Sequence, residues 1–205
     1  DRKVLLALYD KEQRIDIEYP DLFKEVKGGV VRFVGPPDRH SSNFVLYGRL
    51  TDENADEVIR AQIAYYTRYG FSFEWKVFDH DSPPDLRARL ITLGFKPRER
   101  DAIMVLNMRQ ASPAILQPVE KDVRRLTDPA QIEIMIDLLE EVWQVDFSGL
   151  GSLLKEDLWK RPSYSSIYMA YVDDQPACAG WVQYTDSSQF ATLWGGTTLP
   201  QYREQ

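Results

Sequence analysis

The chain has 205 residues, a formal net charge of −7 and a hydrophobic fraction of 43%. That length suits one large or two small domains, with apolar material, five tryptophans included, ample for a real core. The acidic balance argues against nucleic acid as a partner, and no apolar run is long enough to span a bilayer. A single cysteine, Cys178, excludes both an intrachain disulfide and a cysteine-rich zinc site.

The first residues are mixed, and Val4-Leu5-Leu6-Ala7-Leu8-Tyr9 is read as a helix. Gly28-Gly29 introduces Val30 to Val34, a strand stopped by Gly35-Pro36-Pro37. Phe44-Val45-Leu46-Tyr47 is a second strand expected to pair with it. His40 lies between them in a polar loop and is read as an ordinary surface histidine. Thr51 to Tyr69 carries the clearest helical pattern, with Thr51 or Asp52 as its cap and Gly70 placed to end it. Ala55, Val58, Ile59, Gln62, Ile63, Tyr66 and Tyr69 share one stripe. Phe73-Glu74-Trp75-Lys76-Val77 alternates strictly, which predicts a strand with one buried face.

Asp79-His80-Asp81 invites a catalytic or metal reading, such as a hydrolase using His80 with Asp79 or Asp81. The bland reading is stronger: Asp81 or Ser82 caps a helix, a proline opens it and Asp85 complements its dipole. That helix is expected over Pro84 to Leu93, with Leu86, Leu90 and Leu93 inward, and Gly94 terminating it. Ala102 to Leu106 is read as a further strand, and Gln110-Ala111-Ser112-Pro113 as the linker between a lobe of residues 1–110 and one of 111–205.

After the linker, Val119 to Leu126 reads as a strand. Asp128-Pro129 opens an amphipathic helix whose buried stripe is Ile132, Met135, Ile136, Leu139, Val142 and Trp143. Asp146 and Ser148 precede a second helix around Leu150 to Lys160. Three extended segments follow. Ile167 to Val172 is separated by Asp173-Asp174-Gln175-Pro176 from Ala177 to Tyr184, where Cys178 is expected as a small buried hydrophobe. Phe190 to Trp194 then meets Gly195-Gly196-Thr197-Thr198-Leu199-Pro200-Gln201-Tyr202-Arg203.

The run from Leu193 to Arg203 resembles the fourth strand of the GNAT superfamily of acyl-CoA-dependent N-acyltransferases. Thr198-Leu199-Pro200-Gln201-Tyr202-Arg203 is similar to its V-x-P-x-Y-R exit, with Thr198 at the usual valine position and Arg203 opening the phosphate loop. Glu204 and Gln205 would follow, and the loop's glycines would lie beyond Gln205. A plain antiparallel meander ending in a proline turn is the alternative reading of those residues. Asp81 to Phe95 is similar to the second half of the same fold, and the element order after Val119 to its first half. The resemblance implies an α/β (α+β) fold, a mixed and mostly antiparallel sheet flanked by helices in two lobes. The first lobe would be a degenerate GNAT-like half without its own glycine loop.

What the resemblance further implies is acetyl transfer from acetyl-CoA, with no metal, to a primary amine on a small molecule or peptide. Main-chain groups of Thr197, Thr198 and Leu199 would hold the acyl-pantetheine arm and Arg203 would meet the pyrophosphate. The acid would follow the loop, and no carboxylate stands in the third strand, so base and acid are unassigned. A non-catalytic GNAT-like binding module is the second expectation. No signal peptide is visible, so a cytoplasmic protein is expected, and a homodimer is left open. Because the chain opens on Asp1 rather than Met, residues are expected before it as well as after Gln205.

Overall fold

A computed structural model describes residues 1–36, 42–186 and 188–203. His40, Glu204 and Gln205 therefore lie outside the described residues. The chain forms two compact units, Asp1–Ala102 and Ile103–Gln205, each with its own four-stranded sheet. This is the mixed, mostly antiparallel α+β architecture expected from the sequence.

The first unit opens with α1 (Arg2–Tyr9), capped by the Asp1 carboxylate on the Lys3 N–H, and runs on through a π-helical turn, Asp10–Ile15. The sheet has the order β1 (Phe23–Lys27), β2 (Val30–Val34), β3 (Phe44–Gly48) and β4 (Glu74–Trp75). The first three are antiparallel and β4 runs parallel to β3. β2 is covered on both faces. Val30 packs with Val45 and Tyr66 on one side, while Val31 and Phe33 pack with Ile17 and Leu46 on the other. α2 (Ala55–Arg68) lies on the first of these faces, with Ala55, Ile59, Gln62 and Tyr66 buried. α3 (Leu86–Thr92) adds Leu86 and Leu90 to a cluster with Leu50 and Ile59.

Several expectations change here. β1 was hidden in the sequence because its apolar residues are not buried: Phe23 and Val26 are exposed on an edge strand. α2 begins at Ala55 rather than Thr51, because Asn54 turns its Oδ1 onto the Thr51 N–H and makes a separate turn first. Tyr69 falls outside the buried stripe. The strand expected over Phe73–Val77 shrinks to two residues, because β3 offers it only a short parallel register at Phe44 and Val45. Neither Asp81 nor Ser82 caps α3. Its N-terminal neighbour is Asp85, without a side-chain capping bond, and Asp81 is committed elsewhere. Ala102–Leu106 forms no strand. Ile103 to Leu106 stand exposed with no ladder partner, so apolar side chains alone did not create one.

The second unit has the order β5 (Asp122–Leu126), β6 (Ser165–Val172), β7 (Gln175–Tyr184) and β8 (Ala191–Thr198), antiparallel throughout. α4 (Gln131–Trp143) and α5 (Ser148–Lys160) connect β5 to β6. They cover one sheet face through Ile132, Met135, Ile136, Leu139 and Leu154 against Leu126, Ile167, Met169, Ala179 and Trp181. The helices approach closely because Gly151 has no side chain: a Cβ there would sit 2.9 Å from Ile136 Cγ1. Asp173 and Asp174, both left-handed at φ 49° and 61°, make the two-residue β6–β7 hairpin. Pro176 does not interrupt β7. It stands opposite Tyr171 beside a register shift at Ala170/Tyr171, a bulged position of the kind that tolerates a residue without an N–H.

Candidate functional site

The features with chemical potential in the second unit gather on β8 and the turn that follows it. β8 reaches Thr198, four residues beyond the Trp194 expected from the pattern. It is the last strand in the sheet order, so one of its edges carries no neighbour among the described residues. Its ladder with β7 pairs Ala179 with Thr197 and Cys178 with Thr198. Between Ala179 and Trp181 the register shifts, so Gly195 and Gly196 together oppose Gly180. This is a β-bulge, and Gly195 supplies its left-handed residue at φ 65°. The sequence contained this signal: two glycines inside a strand mark a bulge or a close approach. The close approach is real, since a Cβ on Gly195 would lie 1.8 Å from Trp181 Cζ3.

The bulge sets which main-chain groups face outward. Leu199 donates its N–H to Ala177 O at 2.9 Å, so in an antiparallel ladder Ala177/Leu199 and Ala179/Thr197 are the hydrogen-bonded pairs. Cys178/Thr198 is the pair between them, and the N–H and C=O of Thr198 therefore point to the open edge. Arg203 reaches back along that edge and donates its Nε to Thr198 O at 3.1 Å. Of the three residues expected to give main-chain contacts, Thr198 is thus the one with an outward N–H. Leu199 places its side chain in the core. Thr197 is buried, and its Oγ1 accepts from Trp143 Nε1 at 3.0 Å.

That last contact corrects the expected place of Trp143 on the buried stripe of α4. The indole closes the helix and stays 58% exposed, tied at its polar end. Trp181, by contrast, is 8% exposed, and its Nε1–H is buried without a partner among the described residues. Cys178 is half-buried rather than enclosed, because it sits on the sheet face away from α4 and α5.

Two hollows flank Cys178 on that face. One, of about 480 Å³, is walled by Val123, Tyr168, Gly180, Val182 and Leu193, and is almost wholly apolar. The other, of about 510 Å³, brings Lys121, Tyr171, Thr198, Tyr202 and Arg203 around the end of β8 and is the more polar. Its two cations, one from the start of β5 and one from the turn after β8, favour an anionic group there.

The acid–histidine–acid run of the first unit serves a different purpose. Arg14, fully buried, forks onto both oxygens of Asp81 at 2.7 and 2.8 Å, and also reaches Asp10 and the carbonyl of Leu46. Its guanidinium lies 3.9 Å from the centre of the Phe78 ring. Burial pulls the Arg14 pKa down, but the Asp81 and Asp10 carboxylates raise it further, so the cation is retained. His80 does not engage Asp79 or Asp81. Its Nε2 meets Asp10 at 2.9 Å, and Asp79 pairs with Arg100. These contacts latch the π-helical turn to the 78–81 turn, and the hydrolase arrangement is not made. Among the described residues no three histidine, cysteine, aspartate or glutamate side chains converge as metal ligands, and no helix is long and apolar enough to cross a membrane.

No protein-family model matches the chain, and no curated protein matches it. Solved structures do. A functionally unknown conserved protein from Staphylococcus epidermidis ATCC 12228 matches with a TM-score of 0.58 at 15% identity, over 93% of this chain and 76% of its own. A GCN5-related N-acetyltransferase from Kribbella flavida matches with a TM-score of 0.62 at 12% identity, over 90% of this chain and 69% of its own. Identities this low speak for architecture alone: the chain has the fold of the GCN5-related N-acetyltransferases, the GNAT fold.

Proposed function

We propose that the protein is an N-acetyltransferase that takes acetyl-CoA as co-substrate and a primary amine as acceptor. The reading rests on one observation, the outward N–H of Thr198 at the open edge of a bulged strand. The residues present fit such a co-substrate. Thr198 N–H can donate to a carbonyl oxygen, and Arg203 with Lys121 can meet phosphate charge beside it. When bound, acetyl-CoA supplies a thioester whose acyl carbon takes a new bond to the amine nitrogen as the C–S bond breaks, the amine proton ending on the departing thiolate. Thr198 holds the carbonyl as negative charge gathers on its oxygen. Thr197 and Leu199, fixed by their ladder and core contacts, keep that N–H in place. We assign the acyl-pantetheine arm to residues 197–199 and the pyrophosphate to the turn at Arg203. Within this reading residues 1–110 are a degenerate GNAT-like lobe and residues 111–205 the first half of the acetyltransferase domain. A cytoplasmic location and a homodimer belong to the same reading.

The test is calorimetric titration with acetyl-CoA, paired with a thermal shift. Binding should raise Tm in step with ligand concentration relative to Kd. Thr198→Pro removes an N–H that the ladder does not use, together with the side-chain hydroxyl, and an edge strand tolerates the missing donor; Thr198→Val, which loses the hydroxyl alone, is its control. The proline variant should leave the melting transition in place and weaken acetyl-CoA binding. Full-length wild-type protein, carrying the residues expected beyond Gln205, that shows neither heat nor a Tm shift at millimolar acetyl-CoA is instead a non-catalytic module on a GNAT fold.

A further inference from the structure

We infer that Arg203 is a positioning residue. By taking the outward carbonyl of Thr198, it keeps the N–H of the same residue out of any further ladder and free for a ligand. The inference rests on the reading of that N–H as donor to an acyl carbonyl, while the contact itself is testable without ligand. β8 is the last strand in its sheet order, and an edge that shows an N–H and a C=O side by side is a template for another strand. A strand docking at Thr198 has to satisfy both groups, because an unpaired one is left buried at a cost. The 3.1 Å bond from Arg203 Nε to Thr198 O removes one of the two. Strand pairing there loses a ladder bond. A single ligand oxygen, which needs only the N–H, loses nothing.

The sequence builds this guard locally. Pro200 opens the 3₁₀ turn Pro200–Tyr202 with its φ already fixed by the ring. Tyr202 closes the turn by donating its N–H to Leu199 O at 2.9 Å. Leu199 is itself held by its N–H on Ala177 O and by its side chain in the core. The chain is thereby reversed, and residue 203 comes back to the edge at residue 198. A guanidinium suits the place. Its bond to a carbonyl is charge-assisted, and it uses one donor of the fork. The other donors are left for an anion in the polar hollow that Arg203 lines with Lys121 and Thr198. Lysine would keep the charge and lose the planar fork, which separates the two roles of the residue.

The test uses full-length protein labelled with ¹⁵N-threonine, the Thr198 amide being assigned by its loss in Thr198→Val. Acetyl-CoA should move that amide downfield saturably, and CoA, which lacks the acyl carbonyl, should move it less. Arg203→Lys should leave the Kd of CoA, read by calorimetry, within about twofold and raise that of acetyl-CoA about fivefold. It should also abolish the difference between the two ligands at the Thr198 amide. Arg203→Gln gives up the charge but keeps an amide N–H donor, so it should weaken both ligands and preserve the difference. Without ligand, the Arg203 Nε–H of ¹⁵N-arginine-labelled protein should exchange with solvent more slowly than that of free arginine. Equal losses for both ligands in Arg203→Lys, a Thr198 response unchanged from the wild type, or exchange as fast as in free arginine would overturn the assignment. Failure of both ligands to bind the wild type sinks the transfer reading and this role with it, whereas binding with equal losses in Arg203→Lys sinks the role alone.

Discussion

Arg14 and Asp81 show how a buried charge pair can masquerade as a catalytic motif. With a side chain fully removed from water, Arg14 is tolerable only because its donors are taken by Asp81, Asp10 and a carbonyl. Asp81→Asn keeps the shape but removes the countercharge. It should destabilise the first unit by about 3–5 kcal/mol, the range for breaking a buried pair from one side, read as a lower midpoint in urea. His80→Ala, at a partly exposed position with one carboxylate partner, should cost far less. If the two variants cost the same, the latch is not built around Arg14. Tyr66 makes the same point without charge. Burial pushes its phenol pKa well above the ordinary value, and its hydroxyl bonds the Phe33 carbonyl deep in the sheet.

At the scale of elements, edge position decides what periodicity cannot. β1 is held to β2 by its ladder and by Glu25, whose carboxylate takes both Nε and Nη2 of Arg32. Arg32 in turn stacks 3.3 Å from the Tyr65 ring centre and bonds Gln62 of α2. The hydrogen bond from Arg32 is the largest influence on Glu25 and lowers its pKa below the ordinary 4.5. A depressed carboxylate stabilises the fold above its unfolded pKa, and that stability is lost as pH falls through the folded value. Denaturant midpoints measured as pH falls below about 4.5 should therefore drop less steeply in Glu25→Gln than in the wild type. Parallel slopes would show that β1 draws nothing from this pair. On the other sheet, the bulge at Gly195-Gly196 does for β8 what a straight strand would not, since it fixes the register that turns Thr198 outward.

For the whole molecule, each unit carries its own sheet and its own core, and residues 103–121 contain only two short 3₁₀ turns with exposed side chains. Exposed backbone outside ladders and helices is where proteases cut first. Limited trypsin treatment should cleave at Arg109 or Lys121 before any site inside the two sheets, leaving two resistant fragments separable by mass. Early cleavage at Arg32 or Arg125 instead would show that the units do not protect themselves. The likeness to solved structures is also a property at this scale, since no protein-family model matches the chain.

What could be read from the chain alone was local. Helix α4 announced itself through its period, the β6–β7 hairpin through its paired aspartates, the end of α2 through Gly70, and the turn after β8 through Pro200 and Arg203. These signals lie within a few residues of their effect, where backbone sterics and side-chain spacing act directly. Tertiary structure decided which groups meet across long separations: Arg14 with Asp81, 67 residues apart, and Trp143 with Thr197, 54 apart. It also decided that Ile103–Leu106 finds no sheet, that Cys178 faces hollows rather than core, and that Thr198 rather than Leu199 offers its N–H. Each of those outcomes depends on which strand edge or helix end arrives opposite, and that information is spread over the packed chain rather than carried by any short stretch of it.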